Sequence, residues 1–350
     1  MKTLSFFANS IIYFVGCLFH KDVYDNMKKW KHLHNKYNGQ RVFLIGNGPS
    51  LNQTPVFLLK DEITMTFNHF DLLLERINWN PTFYMVVDAT VAQDSKREIE
   101  KMVEISEYCF FPDFHLVNQV DFTKFIPKNS KVHYVHQIPK WFVKNRFSTH
   151  LPFVSLGGGT VVYDGFQILA YLGFSEIYFL GVDMNYVIHT NTDTIANGIQ
   201  SRNDDDPNHF DKRYFGKGRK YHQPTIAIMH KMLSGLEIIK KNLDKHCIQS
   251  FNIGYNSKVE CFDKKDFYQA LNYCDDKILA LFEDLIAKYG YTSYNEFESN
   301  CMNLNSITEW NDNVKLQSLP TEEAIKLVKN VILTHLPLGP YKDKIFFLKR

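Results

Sequence analysis

Residues 41–51 read "RVFLIGNGPSL", in which the apolar run Val42–Ile45 meets Gly46, Asn47, Gly48, Pro49 and Ser50. A buried strand ending in such a turn would bring backbone N–H groups, an amide and a hydroxyl close to a ligand at a helix start. The arrangement recurs along the chain. "ITMTFNHF" ends in Asn68, "TFYMVVDAT" in Asp88, and "IYFLGVDMNY" in Asp183, Asn185 and Tyr186. If these runs are parallel strands, their polar ends converge on one rim, where open α/β sheets bind ligands. Taken singly, each polar residue has the chemistry of a turn former or helix cap.

Two common phosphate motifs are absent. A dinucleotide fingerprint needs G-x-G-x-x-G and an acidic residue about twenty positions on. Here Leu51 stands in place of the third glycine and Asn68 near the acidic position, and no G-x-x-x-x-G-K-[ST] occurs. The neutral groups that remain suit the phosphate, ribose or base of a nucleotide without a fixed metal. A second glycine turn, Gly157-Gly158-Gly159-Thr160, precedes a helical pattern. It has two readings, a second oxyanion cradle or close packing of the helix on the sheet. Among 14 histidines, most of which read as solvated, His222 lies just before a helix expected near Pro224, where an imidazole could serve as general base. Asp204, Asp205 and Asp206 could hold Mg²⁺, but consecutive carboxylates diverge, and a solvated loop is the simpler reading.

The elements that must position these residues are short. Strands are expected at Val42–Ile45, Ile63–Phe67, Phe83–Val87, Tyr108–Phe111, Val132–Val135, Ile177–Gly181 and Ile248–Ile253, alternating with helical or loop segments. That alternation predicts an α/β fold, Rossmann-like, with a mostly parallel sheet covered by helices on both faces. From Asn185 to about Thr225 the pattern fails, and a long polar insert of this kind reads as a lid or active-site loop. Beyond Asp266 the composition turns helical, as in "KILALFEDLIAKYG" and "TEEAIKLVKNVILTHL", and ends on the basic–aromatic "YKDKIFFLKR". We expect an N-terminal segment over 1–38, a Rossmann-like domain over 39–265 with its insert at about 187–224, and a helical region over 266–350.

Bulk composition narrows the partners. Lys and Arg number 40 against 38 Asp and Glu, a net charge of +2 that gives no general attraction to nucleic acid. The six cysteines (Cys17, Cys109, Cys247, Cys261, Cys274, Cys301) form no CxxC pair, which points to a reduced compartment and no structural zinc. Leu4–Phe19 is an apolar run followed by Lys21, Lys28, Lys29 and Lys31 around Trp30. It suits an amphipathic helix lying in an anionic headgroup region better than a span, with docking on the protein's own surface as the rival.

Taken together, "IGNGPSL", "FN" about twenty residues later, a strand ending in Asp, and the later glycine turn leading to "ILAYLGFSEIYFLGVDMNY" resemble one superfamily. It contains the bacterial motility-accessory-factor proteins and the archaeal 6-hydroxymethylpterin pyrophosphokinases. The motif order is also similar to that of bacterial lipooligosaccharide sialyltransferases. The resemblance covers about 41–262, including "SFNIGYNSKVECF", and does not extend to the termini. It implies that Gly46, Asn47, Gly48 and Ser50 hold the CMP portion of a donor, with Asn68 beside them. Asp88 falls where the transferases have Asn, and the turn at Gly158, Gly159 and Thr160 aligns only with a gap. Tyr186 lies one position beyond a phosphate-binding tyrosine, at which Asn185 stands, and Tyr214 is the candidate for a second. His222 falls near the family's base.

The function so implied is a glycosyltransferase that moves sialic acid or another nonulosonate from a CMP-activated donor, with inversion and no metal or other cofactor. Its acceptor would be a saccharide or lipid-linked saccharide of a bacterial surface glycan, of lipopolysaccharide, O-antigen or capsule type. The location expected is cytoplasmic, peripheral at the inner face of the membrane through both termini, with a homo-oligomer left open. Two alternatives remain at this level. One is an Mg²⁺-dependent pterin-type pyrophosphokinase using ATP, and the other is a non-catalytic nucleotide-sugar-binding protein of envelope glycan assembly.

Overall fold

The computed structural model describes residue 15 and residues 19–77, 79–115, 120–138, 147–195, 198–222 and 225–272. The C-terminal helices expected beyond 272, the basic–aromatic tail, Pro224 and most of Leu4–Phe19 lie outside the described residues.

The strands in chain order are β1 (Arg41–Ile45), β2 (Thr64–Phe67), β3 (Phe83–Met85), β4 (Tyr108–Pro112), β5 (Phe114–His115), β6 (Val120–Asp121), β7 (Val132–Val135) and β8 (Gln137–Ile138). They continue with β9 (Ser155–Leu156), β10 (Glu176–Leu180), β11 (Thr192–Ile195), β12 (Gly198–Ser201), β13 (Lys220–Tyr221), β14 (Gln249–Asn252) and β15 (Asp263–Lys264). Eight of them build the main sheet in the order β15-β14-β10-β1-β2-β3-β4-β7. Every neighbouring pair in it is parallel. The chain leaves β1 in one direction through β2, β3, β4 and β7, then returns to the other side of β1 with β10, β14 and β15. The order reverses between β1 and β10, the point at which such sheets bind ligands.

β1 shows why the runs are continuously apolar. Phe43 and Ile45 face one core and Val42 and Leu44 the other, all fully buried. A strand covered on both faces has no polar side to show, and each large side chain so buried contributes roughly 1.5–3 kcal/mol. One face is covered by the 3-10 turns after β1 and β2 and by α3 (Lys96–Ile105), through Ile99, Met102 and Val103. The other is covered by α1 (Lys21–Leu33), α4 (Val161–Leu172) and α5 (Ile226–Lys245). Between these lies the short α2 (Ala89–Asp94), and α6 (Phe267–Ala270) closes the described chain.

α4 is apolar nearly all round because it is sandwiched between the sheet and α5. It stops at Gly173, whose φ of 88° is the left-handed cap that glycine favours. α5 starts at Ile226, where the Thr225 hydroxyl accepts a hydrogen bond from the Ile228 N–H. α1 docks on β7 at the sheet edge. The Asn26 amide donates to the Tyr134 carbonyl at 2.8 Å and accepts from the Tyr134 N–H at 2.9 Å, while Trp30 Nε1 donates to the same carbonyl at 2.9 Å. Among the described residues no helix is long and apolar enough to cross a membrane.

The insert differs from the irregular segment expected. Its outer part is a three-stranded antiparallel sheet, β11-β12-β13. Its inner part is tied to the body by charged side chains. Arg213 pairs with Asp211 and Glu75, Arg76 reaches Asp211 at 3.5 Å and Asn52 at 2.7 Å, and Arg219 donates to Glu98 and to the Asp94 carbonyl. These polar pairings leave no hydrophobic period, which is why the segment reads as structureless.

Candidate functional site

A cleft partly open to solvent lies at the carboxyl ends of β1, β2 and β10. Of the residues singled out in the sequence, Gly46, Asn47, Gly48, Asn68, Thr160, Asp183, Asn185, Tyr186 and Tyr214 line it. They come from five separate stretches of chain, brought together by the fold.

The first turn acts differently from the anion cradle expected. The Gly46 N–H donates to the Leu180 carbonyl at 2.8 Å and the Gly48 N–H to the Gly181 carbonyl at 2.7 Å. Ser50 donates its N–H to Asp183 Oδ2 at 2.8 Å and its hydroxyl to Asp183 Oδ1 at 2.5 Å. Three N–H groups that would have met an oxyanion are thereby engaged in latching β1 to β10. Ser50 is buried and outside the cleft lining, acting on the site through Asp183. Burial pushes the Asp183 carboxyl up, while the two Ser50 hydrogen bonds oppose that shift.

What the cleft offers is side chains. Asn47 donates its amide N–H to the Phe67 carbonyl at 3.0 Å and to the Tyr214 hydroxyl at 3.2 Å, which fixes the amide's orientation. The Asn47 and Asn68 amide oxygens are both buried without a hydrogen-bond partner. Asn68 adopts φ 49°, a left-handed conformation that asparagine tolerates better than most residues. Tyr214 is buried, and burial raises its phenol well above the ordinary range. Its hydroxyl is tied to the Asn47 amide, so it braces that amide from below. Burial also pushes Tyr186 up to about 12, which keeps it a neutral donor at physiological pH.

Sequence reasoning missed His209. It lines the cleft beside Asn208, stacked face to face on Tyr214 with centroids 3.7 Å apart and the planes 2° from parallel. Its Nδ1 lies 2.7 Å from Asp206 Oδ2. The signal was present in "DPNHFDKRYF", a histidine three residues after an aspartate, but the polar insert concealed which of its groups face inward. The Asp204–Asp206 run diverges as its spacing suggests. Asp204 accepts from the Lys217 N–H, Asp205 contacts His189 and the Asn191 amide, and Asp206 accepts from the Asn208 and Phe215 N–H groups. Among the described residues no group of three or more His, Cys, Asp or Glu side chains is placed to hold a metal.

Four other expected residues fall away from the cleft lining. His222 is exposed, next to β13. Gly158 is a packing glycine, since a Cβ there would lie 2.0 Å from the Tyr163 ring, and Gly159 adjoins Met232 of α5. Asp88 is the N-cap of α2, accepting from the Thr90 and Val91 N–H groups at 2.7 and 3.2 Å. Asp88→Ala is expected to lower stability by about 1 kcal/mol in urea unfolding, as loss of such a cap does.

The fold is that of an open α/β protein with a cleft at the switch point of its parallel sheet. Residues 19–189 match the family described as 6-hydroxymethylpterin diphosphokinase MptE-like. Among solved structures, the MAf glycosyltransferase from Magnetospirillum magneticum AMB-1 is similar over 90% of this chain and 50% of that one, at 16% identity and a TM-score of 0.41. The chain therefore spans about half the length of that structure. No curated protein matches.

Proposed function

We propose that this protein is a glycosyltransferase that takes its sugar, sialic acid or another nonulosonate, from a CMP-activated donor. The acceptor is a saccharide of a bacterial surface glycan, free or lipid-linked. The observation that carries this reading is the amide-rich lining of the switch-point cleft, with Asn47, Asn68, Asn185, Asn208 and the Tyr186 phenol beside a single carboxyl, Asp183. Such groups suit a nucleotide whose sugar brings its own carboxylate, because donors and acceptors can be matched without a high local charge. As the bond to the anomeric carbon breaks, charge develops on the departing CMP phosphate. The Tyr186 hydroxyl, in a partly enclosed cleft, stabilises that charge, while the open Asn47 and Asn68 amide oxygens accept from the N–H and O–H groups of the nucleotide.

The match to a pterin diphosphokinase family favours a second reading, transfer of pyrophosphate from ATP to a pterin alcohol. That chemistry uses Mg²⁺, and the Asp204–Asp206 carboxylates that could have served it are each engaged by protein donors in different directions. Peripheral contact with a membrane's inner face also belongs to the proposal. It is supported by Phe19 and Tyr24, both exposed, beside Lys28, whose ammonium lies 4.4 Å from the Tyr24 ring centre.

Purified protein incubated with CMP-sialic acid, with and without EDTA, tests the proposal. EDTA-insensitive release of CMP is the expected result. AMP formation from ATP that requires both Mg²⁺ and a pterin alcohol, with no CMP release, would replace this reading by the second.

A further inference from the structure

Transfer to a hydroxyl must dispose of the hydroxyl's proton, and two histidines of the insert compete for that task. His222 is exposed and outside the cleft lining, whereas His209 is part of the wall, with its side chain 14% exposed. Its ring is held on three sides. Tyr214 stacks beneath it, Phe215 meets it edge-on at 5.1 Å, and Asp206 takes Nδ1. Asp206 is itself buried and fixed by the Asn208 N–H at 2.8 Å and the Phe215 N–H at 3.0 Å. Although burial pushes the Asp206 carboxyl up, the His209 hydrogen bond and charge, with those backbone donors, bring it below the usual carboxylate range. An ionised Asp206 is an acceptor only, so the neutral imidazole of His209 keeps its proton on Nδ1 and its lone pair on Nε2. Nε2 has no hydrogen-bond partner among the described residues. A base whose other nitrogen is oriented by a buried carboxylate is the general arrangement for activating a hydroxyl.

We infer that His209, oriented by Asp206, is the catalytic base of this cleft, an assignment that rests on the transferase reading above. His209 Nε2 accepts the proton of the acceptor hydroxyl as that oxygen bonds to the anomeric carbon. The bond from the anomeric carbon to the CMP phosphate oxygen breaks, and its electron pair leaves with CMP. When water is the acceptor, the same step gives donor hydrolysis. Asp206 is a positioning residue, acting through the imidazole. The other titratable groups near the ring are Asp183 at the end of β10, His69 after β2 and the Tyr214 phenol.

The test uses the full chain with CMP-sialic acid as donor and water as acceptor, following CMP release across pH 5–9. His209→Gln should lower kcat by about 100-fold or more with KM within threefold, the range of a lost general base. CMP affinity by calorimetry should stay within threefold, showing that the cleft is intact. His209→Ala should regain turnover with added imidazole, which a merely structural histidine would not allow. Asp206→Asn should displace the acidic limb of the kcat profile. Wild-type turnover with His209→Gln within threefold of it overturns the assignment alone. The same follows if His222→Gln abolishes turnover while His209→Gln does not. A wild type that releases no CMP overturns the donor reading, and the assignment with it.

Discussion

Gly46→Ala is expected to destabilise the protein by about 3 kcal/mol, the upper part of the range for forcing extra volume into a packed site. A Cβ on Gly46 would lie 2.2 Å from the Gly181 carbonyl oxygen and 2.8 Å from its carbon. Those are backbone atoms, so no side-chain rotation relieves the overlap. Gly181 has little freedom to withdraw, since its φ is 65° and its carbonyl accepts the Gly48 N–H. The strand ends β1 and β10 would have to separate, opening the latch that Ser50 and Asp183 complete. Gly39→Ala is the control, with φ 77° but nothing within 4 Å of its Cβ position. It should cost about 1 kcal/mol of backbone strain. Urea unfolding of both variants measures the difference, and a Gly46→Ala protein as stable as Gly39→Ala would show that the two strand ends are not in fixed contact.

The second large effect is a dependence of stability on pH carried by Asp164. This carboxyl is buried on α4, where Oδ1 accepts from the Ser155 hydroxyl at 2.9 Å and from Gln137 Nε2 at 3.1 Å. Burial pushes it up to about 7 from an ordinary value of 3.8, with both hydrogen bonds opposing the shift. A raised carboxyl prefers to be protonated in the fold. Its favourable contribution is therefore complete below about pH 4 and is lost as pH rises to about 7. A shift of this size corresponds to a fall on the order of 4 kcal/mol in unfolding free energy across that window. Asp164→Asn can keep both bonds through its Oδ1 and has nothing to ionise. Denaturant unfolding at intervals from pH 4 to 8 should show the fall in the wild type and its absence in Asp164→Asn. Parallel curves for the two proteins would refute it.

The seven strands expected from apolar runs all occur, with ends within two residues of those read. β7 matches Val132–Val135, and β10 runs Glu176–Leu180 against an expected Ile177–Gly181. They were legible because a strand buried on both faces is a continuous apolar run stopped by turn residues. The helix after the second glycine turn was legible for the same reason, its Gly173 cap included. β15 was not, since the two polar residues Asp263 and Lys264 carry no strand signal of their own and are recruited by β14. The site was half legible. Residues at strand ends reached the cleft because topology alone carries them there. His209 reached it through contacts that no local pattern announces, among them the Phe210 N–H on the Asn47 carbonyl at 3.0 Å. The backbone N–H groups of the first turn misled, because their partners lie on a strand more than 130 residues away. The histidines as a group read as mostly solvated, yet His69, His133 and His189 are buried.

The docking of α1 bears on how copies of this protein behave towards each other. The last strand of a sheet is a template on which another chain can grow, and an eight-stranded parallel sheet has two such ends. At β7, Asn26 occupies both the carbonyl and the N–H of Tyr134, and Lys29 takes the Val132 carbonyl at 3.1 Å. Side chains of a helix thus stand where an incoming strand would bond. At the opposite end, β15 pairs over two residues, too few to seed a ladder. The N-terminal helix is therefore a guard against edge-to-edge aggregation, whatever else it contacts.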